Sequence, residues 1–144
     1  MSFETSVTWM KAVGVLLIAT GGLFALTTTG PVAFMGVFFV DLAVFPLDGG
    51  QSFAATETRL LMAIVGGLTA GLGAAIWMVA KHVYPIQPEL GRKILLTFGL
   101  IWFVVDSVGS VLSGAWFNAV LNTGLVIPIL LPLVWVRGPK PSAT

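Results

Sequence analysis

Cysteine is absent from this chain, and histidine occurs once, as His82. Without cysteine there are no disulfides, thiolate zinc sites, cysteine-ligated iron–sulfur clusters or thioether-attached haem within the chain. One histidine alone cannot ligate haem from both sides. Charge is also scarce: 9% of residues are charged, against about 25% in a soluble domain. A net charge of +1 gives no electrostatic footprint for nucleic acid. No Gly-rich phosphate loop, HExxH pair or Ser/His/Asp set is present. The expectation is therefore no cofactor, no metal site, no catalytic residue and no nucleic-acid partner.

What the chain has in abundance is apolar surface. Hydrophobic residues make up 57% of it, and the mean hydropathy of +1.01 excludes water as the only solvent. The 144 residues suit one integral membrane domain, 1–144. Crossing a hydrocarbon core of ~30 Å takes about 20 apolar residues per helix. Segments 7–27, 58–80, 93–113 and 116–136 meet or approach that length. Thr56 and Glu57 precede the second of these, and Lys81 and His82 close it, as helix start and stop signals. Pro85, Pro88 and Gly91 mark one loop, and Gly114 marks a tight turn. Met1–Lys11 and the apolar run after it have the length of a signal peptide. The run-in carries Glu4 and Lys11 where a basic cluster would be needed, so the first span is expected to be retained.

The connecting segment 28–57 is the least regular. Residues 31–46 are apolar but short, contain Asp41, and sit between Gly30-Pro31 and Pro46. They predict an interfacial or re-entrant helix on the outer face, with a fifth span as the alternative. The fold expected is an all-α transmembrane four-helix bundle with that short outer-face segment. Lys81, His82, Arg92, Lys93, Arg137 and Lys140 lie at one set of span ends, and Asp41, Asp48 and Glu57 at the other. The positive-inside rule then places both termini in the cytoplasm, which for a bacterial protein means multi-pass insertion in the inner membrane. Trp9, Tyr84, Trp116 and Trp135 fall at predicted interfaces. Asp41 and Asp48 read as solvated loop charges, and His82 as a side chain favourable to a helix C-terminus.

One charge stands inside a span. Asp106 is the only charged residue between Lys93 and Arg137, and a carboxylate there costs roughly 2.5–3.5 kcal/mol on insertion scales. It should face protein or water and have partners. Ser110 and Ser113 follow it at helical spacing, with Trp102 before it; Asn118 and Asn122 share a face of the next span. Counting inward from the turn puts Asp106 and Asn122 at similar depth, about 10 Å in. Arg59, at the start of the second span, is the nearest cation in reach. The expected cluster is Arg59, Asp106, Ser110, Asn118 and Asn122. It reads either as a knot that fixes helix register or as a small polar pocket or proton-carrying carboxylate. Pro128 and Pro132 free backbone carbonyls in the last span, that of Gly124 first, and such groups must be satisfied by protein or water. Gly67 with Gly71, and Ala70 with Ala74, make small-xxx-small patterns for close helix packing inside the bundle, with a homodimer face as the alternative. Gly14, Gly21 and Gly22 are the complementary surface expected in the first span.

Two stretches, PLDGGQSFAATETRLLMAIVGGLTAGLG from Pro46 and WFVVDSVGSVLSGAWFNAVLNTG from Trp102, resemble a group of small, functionally uncharacterised bacterial integral membrane proteins, broadly DoxX-like. The resemblance implies a four-helix membrane fold and a link to membrane redox or quinone metabolism. The residues themselves lead to a non-enzymatic membrane protein, an accessory subunit or small-ligand binder. A proton-coupled small-molecule transporter using Asp106 is the alternative, and a quinone- or redox-linked protein the third reading. The partners expected are the lipid bilayer, with a membrane protein partner or a homo-oligomer within it.

Overall fold

The computed structural model describes residues 1–136. Among them the chain forms five α-helices and no strand: α1 Phe3–Leu26, α2 Ala33–Val44, α3 Thr56–His82, α4 Pro88–Leu112 and α5 Trp116–Trp135. Four of these, α1, α3, α4 and α5, are long and apolar enough to cross a membrane. Arg137 and Lys140, used above to orient the last span, lie outside the described residues.

Local chemistry sets the helix ends. Ser2 caps α1, its hydroxyl accepting from the Thr5 amide at 3.1 Å. Pro88 opens α4 at its first turn, where a missing N–H costs nothing; this starts the helix earlier than Lys93. Lys81 and His82 occupy the last turn of α3, where the carbonyl ends of the helix favour positive charge.

The short helix is not a fifth span. With 12 residues, α2 is about 18 Å long at 1.5 Å per residue, well under the ~30 Å of a hydrocarbon core. It crosses one end of the bundle. Phe39 packs on Phe24 of α1, with ring centroids 4.7 Å apart. Phe45, just past its end, stacks on Phe117 at 4.9 Å and meets Trp116 at 6.0 Å. Phe34 and Phe38 stay exposed, as side chains turned toward lipid tails would be.

The long helices form two antiparallel pairs, α1 with α3 and α4 with α5. The pairs meet mainly at the end carrying Lys81, His82, Arg92 and Lys93, called here the basic end. Met10, Val13, Ile76, Ala80, Tyr84, Leu95, Ile129 and Leu133 form a core there, drawn from all four long helices and the α3–α4 loop. Polar ties reinforce it. The Ser6 and Tyr84 hydroxyls share a hydrogen bond at 3.2 Å. The Trp9 indole donates to the Pro128 carbonyl at 2.8 Å, and Arg92 Nε donates to the Leu133 carbonyl. The Trp9 bond has a clear cause. Pro132 has no N–H to give the Pro128 carbonyl, and α1 supplies the missing donor. The freed carbonyl that a side chain meets is thus Pro128's; the expectation had centred on Gly124.

The α1–α3 seam is built on glycines spaced seven apart. A Cβ on Gly21 would fall 2.4 Å from the Ala70 nitrogen and the Gly66 carbonyl oxygen. One on Gly14 would fall 2.8 Å from the Gly73 carbonyl oxygen. Backbone touches backbone at both places, as small residues allow in membranes. This corrects the packing expected from the sequence. Ala70 is in the seam, but Gly67 and Gly71 meet nothing within 4 Å and Ala74 is exposed. Gly22, unlike Gly21, also faces open space.

Candidate functional site

The α4–α5 pair carries the polar cluster. The tight turn at Gly114, with φ of +87°, is a left-handed conformation glycine adopts readily. It returns α5 along α4 and sets Asn118 beside Asp106 and Ser110. Ser110 Oγ donates to Asp106 Oδ1 at 3.2 Å. Asn118 Nδ2 lies 3.3 Å from the same oxygen and 2.8 Å from Ser110 Oγ. Three side chains thus close a small ring around one carboxylate oxygen, and all three are half-buried.

Asn122 belongs to a different contact. It is 3% exposed, and its Nδ2 donates to Ser107 Oγ at 3.3 Å. It is level with Asp106 along the axis but bonds its neighbour. Ser113 and Thr123 bond carbonyls of their own helices, those of Ser110 and Ala119. Trp102 packs against the apolar core at the other end.

Arg59 is not part of the cluster. Its guanidinium donates to the Phe53 carbonyl at 2.9 Å, the Ala54 carbonyl at 3.1 Å and Thr56 Oγ1 at 3.0 Å. The expected Arg59–Asp106 pair is therefore not formed. The reason is local: Arg59 sits in the first turn of α3, and the segment leading into that helix presents carbonyls that the planar, five-donor guanidinium can collect together. Among the described residues the cluster is held by neutral donors alone. A carboxylate has about four acceptor positions, and the bonds described all fall on Oδ1.

Asp41 departs furthest from expectation. It is 7% exposed, so it is no solvated loop charge. Its Oδ2 accepts from the Gly49 amide at 3.1 Å, and its Oδ1 is buried with no hydrogen-bond partner. The segment after α2 folds back over its last turn, and Asp41 fastens that fold. The signal was present in the sequence: one acid inside an otherwise apolar helix. Asp48 behaves as a loop residue, its Oδ1 accepting from the Gly50 amide at 2.8 Å. His82 packs edge-on to Trp77. Among the described residues no group of three or more His, Cys, Asp or Glu side chains comes together to hold a metal ion.

Fold and cluster together define the class: a helical protein with four helices fit to cross a membrane, and a carboxylate held by neutral groups inside one helix pair. No family model, curated protein or solved structure matches the chain, so the DoxX-like resemblance gains no support from them.

Proposed function

We propose that this is a non-enzymatic, multi-pass protein of the bacterial inner membrane that binds a small cationic or hydrogen-bond-donating group at Asp106, acting alone or as an accessory subunit. The observation that carries the reading is the one-sided ring: Ser110 and Asn118 hold Asp106 Oδ1, and no cation among the described residues joins them. Interhelical polar contacts in membranes are worth only about 0.6 kcal/mol on average. A buried-side carboxylate costs more than that to insert, so helix register alone is a poor reason to keep it. A ligand that brings a positive charge or a donor to the free oxygen would offset that cost. The positive-inside rule supports both termini on the cytoplasmic side; the opposite end, the acidic end with Asp41, Asp48 and Glu57, is then the outer one, with the cluster in its half of the membrane.

The test is native mass spectrometry of the chain extracted gently from its own membranes, beside Asp106→Asn. A small molecule retained by the parent and lost from the variant supports the binder. A stoichiometric protein partner retained by both makes the protein an accessory subunit and Asp106 a register device. A second reading, a proton-coupled small-molecule transporter using Asp106, is favoured by the engagement of Arg59 elsewhere, which leaves the carboxylate without a cation partner among the described residues. Proton flux into liposomes that Asp106→Asn abolishes, with helicity unchanged, would establish that reading instead.

A further inference from the structure

An open groove of about 530 Å³ runs along α1 at the basic end, well away from Asp106. Thr8, Lys11, Ala12, Val15, Leu16 and Ala19 line it from α1, and Trp77 walls it from α3. These α1 positions recur at helical spacing, so they form one continuous stripe. From Thr8 to Ala19 the stripe is about 16 Å long at 1.5 Å per residue. That is close to the depth of one leaflet, half of a ~30 Å hydrocarbon core. The two alanines leave a shallow channel between larger neighbours.

Two lysines stand at the groove. Lys11 lines the groove itself. Lys81 Nζ stands 4.4 Å from the centroid of the Trp77 ring, a cation–π distance that holds the ammonium beside the groove. His82 packs against the same ring, with centroids 6.4 Å apart. Glu4, one turn beyond Thr8 on the same face of α1, adds one acid near the open end, so the balance there is two lysines against one carboxylate. A basic mouth over an apolar channel one leaflet deep is complementary to one kind of molecule. Basic pockets between membrane helices bind anionic head groups on the same principle.

We propose that this groove is a binding site for an anionic phospholipid. One acyl chain lies along Ala12, Leu16 and Ala19 against Trp77, and the phosphate is held by Lys11 and Lys81. Both lysines have long apolar stems that let the ammonium rise to head-group level while the stem stays on the helix.

The experiment uses the full chain in nanodiscs made from equal amounts of phosphatidylglycerol and phosphatidylcholine, released into native mass spectrometry. The parent is expected to retain phosphatidylglycerol in preference. Lys11→Gln and Lys81→Gln should each lower that preference about five-fold, and together should remove it. Ala19→Leu, which fills the channel and leaves the charges alone, should lower retention of the lipid as well. Ala19 and Lys81 are exposed and Lys11 is half-buried, and unchanged helicity by circular dichroism confirms that each variant is folded. Equal retention of the two lipids by the parent would overturn the proposal. So would a preference that survives the double lysine change, or one that Lys93→Gln on α4 removes instead. Full retention by Ala19→Leu would overturn the acyl-chain groove.

Discussion

Gly21 and Gly22 are neighbours in sequence and opposites in structure, which makes them a sharp probe of the α1–α3 seam. A methyl group on Gly21 would lie 2.4 Å from two backbone atoms of α3, whereas ordinary contact begins near 3.4 Å. Neither atom can rotate away, so the helices must part locally by about an ångström. Overpacking of this kind costs roughly 1–3 kcal/mol. Replacing glycine by alanine in a helix interior returns ~0.5–1 kcal/mol. The balance for Gly21→Ala is a loss on the order of 1–2 kcal/mol. Gly22→Ala meets nothing within 4 Å, so only the gain remains, up to about 1 kcal/mol. The two substitutions should differ in sign. The assay is reversible unfolding in mixed micelles of dodecyl sulfate and a non-ionic detergent, followed by circular dichroism. Gly73→Ala should behave like Gly21→Ala, and Gly67→Ala and Gly71→Ala like Gly22→Ala. Equal losses at Gly21 and Gly22, or a harmless Gly21→Ala, would refute the close backbone contact.

Three further outcomes are expected. Arg59→Gln and Asp106→Asn should be additive in unfolding free energy within about 0.3–0.5 kcal/mol; a larger coupling would mean that the two side chains do pair. Trp9→Phe should cost roughly 1–3 kcal/mol by stranding the Pro128 carbonyl. That cost should shrink when Pro132→Ala restores the backbone N–H, an effect read from a double-mutant cycle. Asp41→Asn should hold stability, since its amide oxygen can still accept from Gly49, while Asp41→Ala should speed hydrogen exchange at residues 47–50. Unchanged exchange in the alanine variant would deny Asp41 its role as fastener.

The long helices were legible because hydropathy is a sum over about 20 residues and tolerates local error. Pairwise contacts are not sums. The small-xxx-small pattern pointed to Gly67 and Gly71, but successive helix positions are ~100° apart, and the seam uses Gly66 in place of its neighbour. The available signal was the seven-residue spacing shared by Gly14–Gly21 and Gly66–Gly73, two turns in each helix. Counting depth from the turn placed Asn122 opposite Asp106. Depth alone does not fix the partner: Asn122 meets Ser107, and Asn118, one turn nearer the turn, reaches the carboxylate together with Ser110. Arg59 was assigned by reach alone, without the competing carbonyls that its own helix start supplies. The sequence places Asp41 in a short apolar helix but does not show what covers it; only the chain folding back to Gly49 buries it.

The two ends of the bundle are held by different physics, and this bears on where a ligand can enter. At the basic end an apolar core drawn from all four long helices is closed by the Trp9, Arg92 and Tyr84 hydrogen bonds. Separating the helix pairs there would strand carbonyls in an apolar surrounding, at roughly 1–3 kcal/mol for each group. At the acidic end the pairs are bridged by α2, through ring contacts of Phe39 on α1 and of Phe45 on α5. Aromatic pairs contribute about 0.5–1.5 kcal/mol beyond their buried area, and parting them strands no polar group. The Asp106 ring lies wholly within the α4–α5 pair, so it survives such a parting intact. Of the contacts that join the two helix pairs, those of Phe45 with Trp116 and Phe117 are therefore the ones that part at least cost, with the core at the other end as the fixed point.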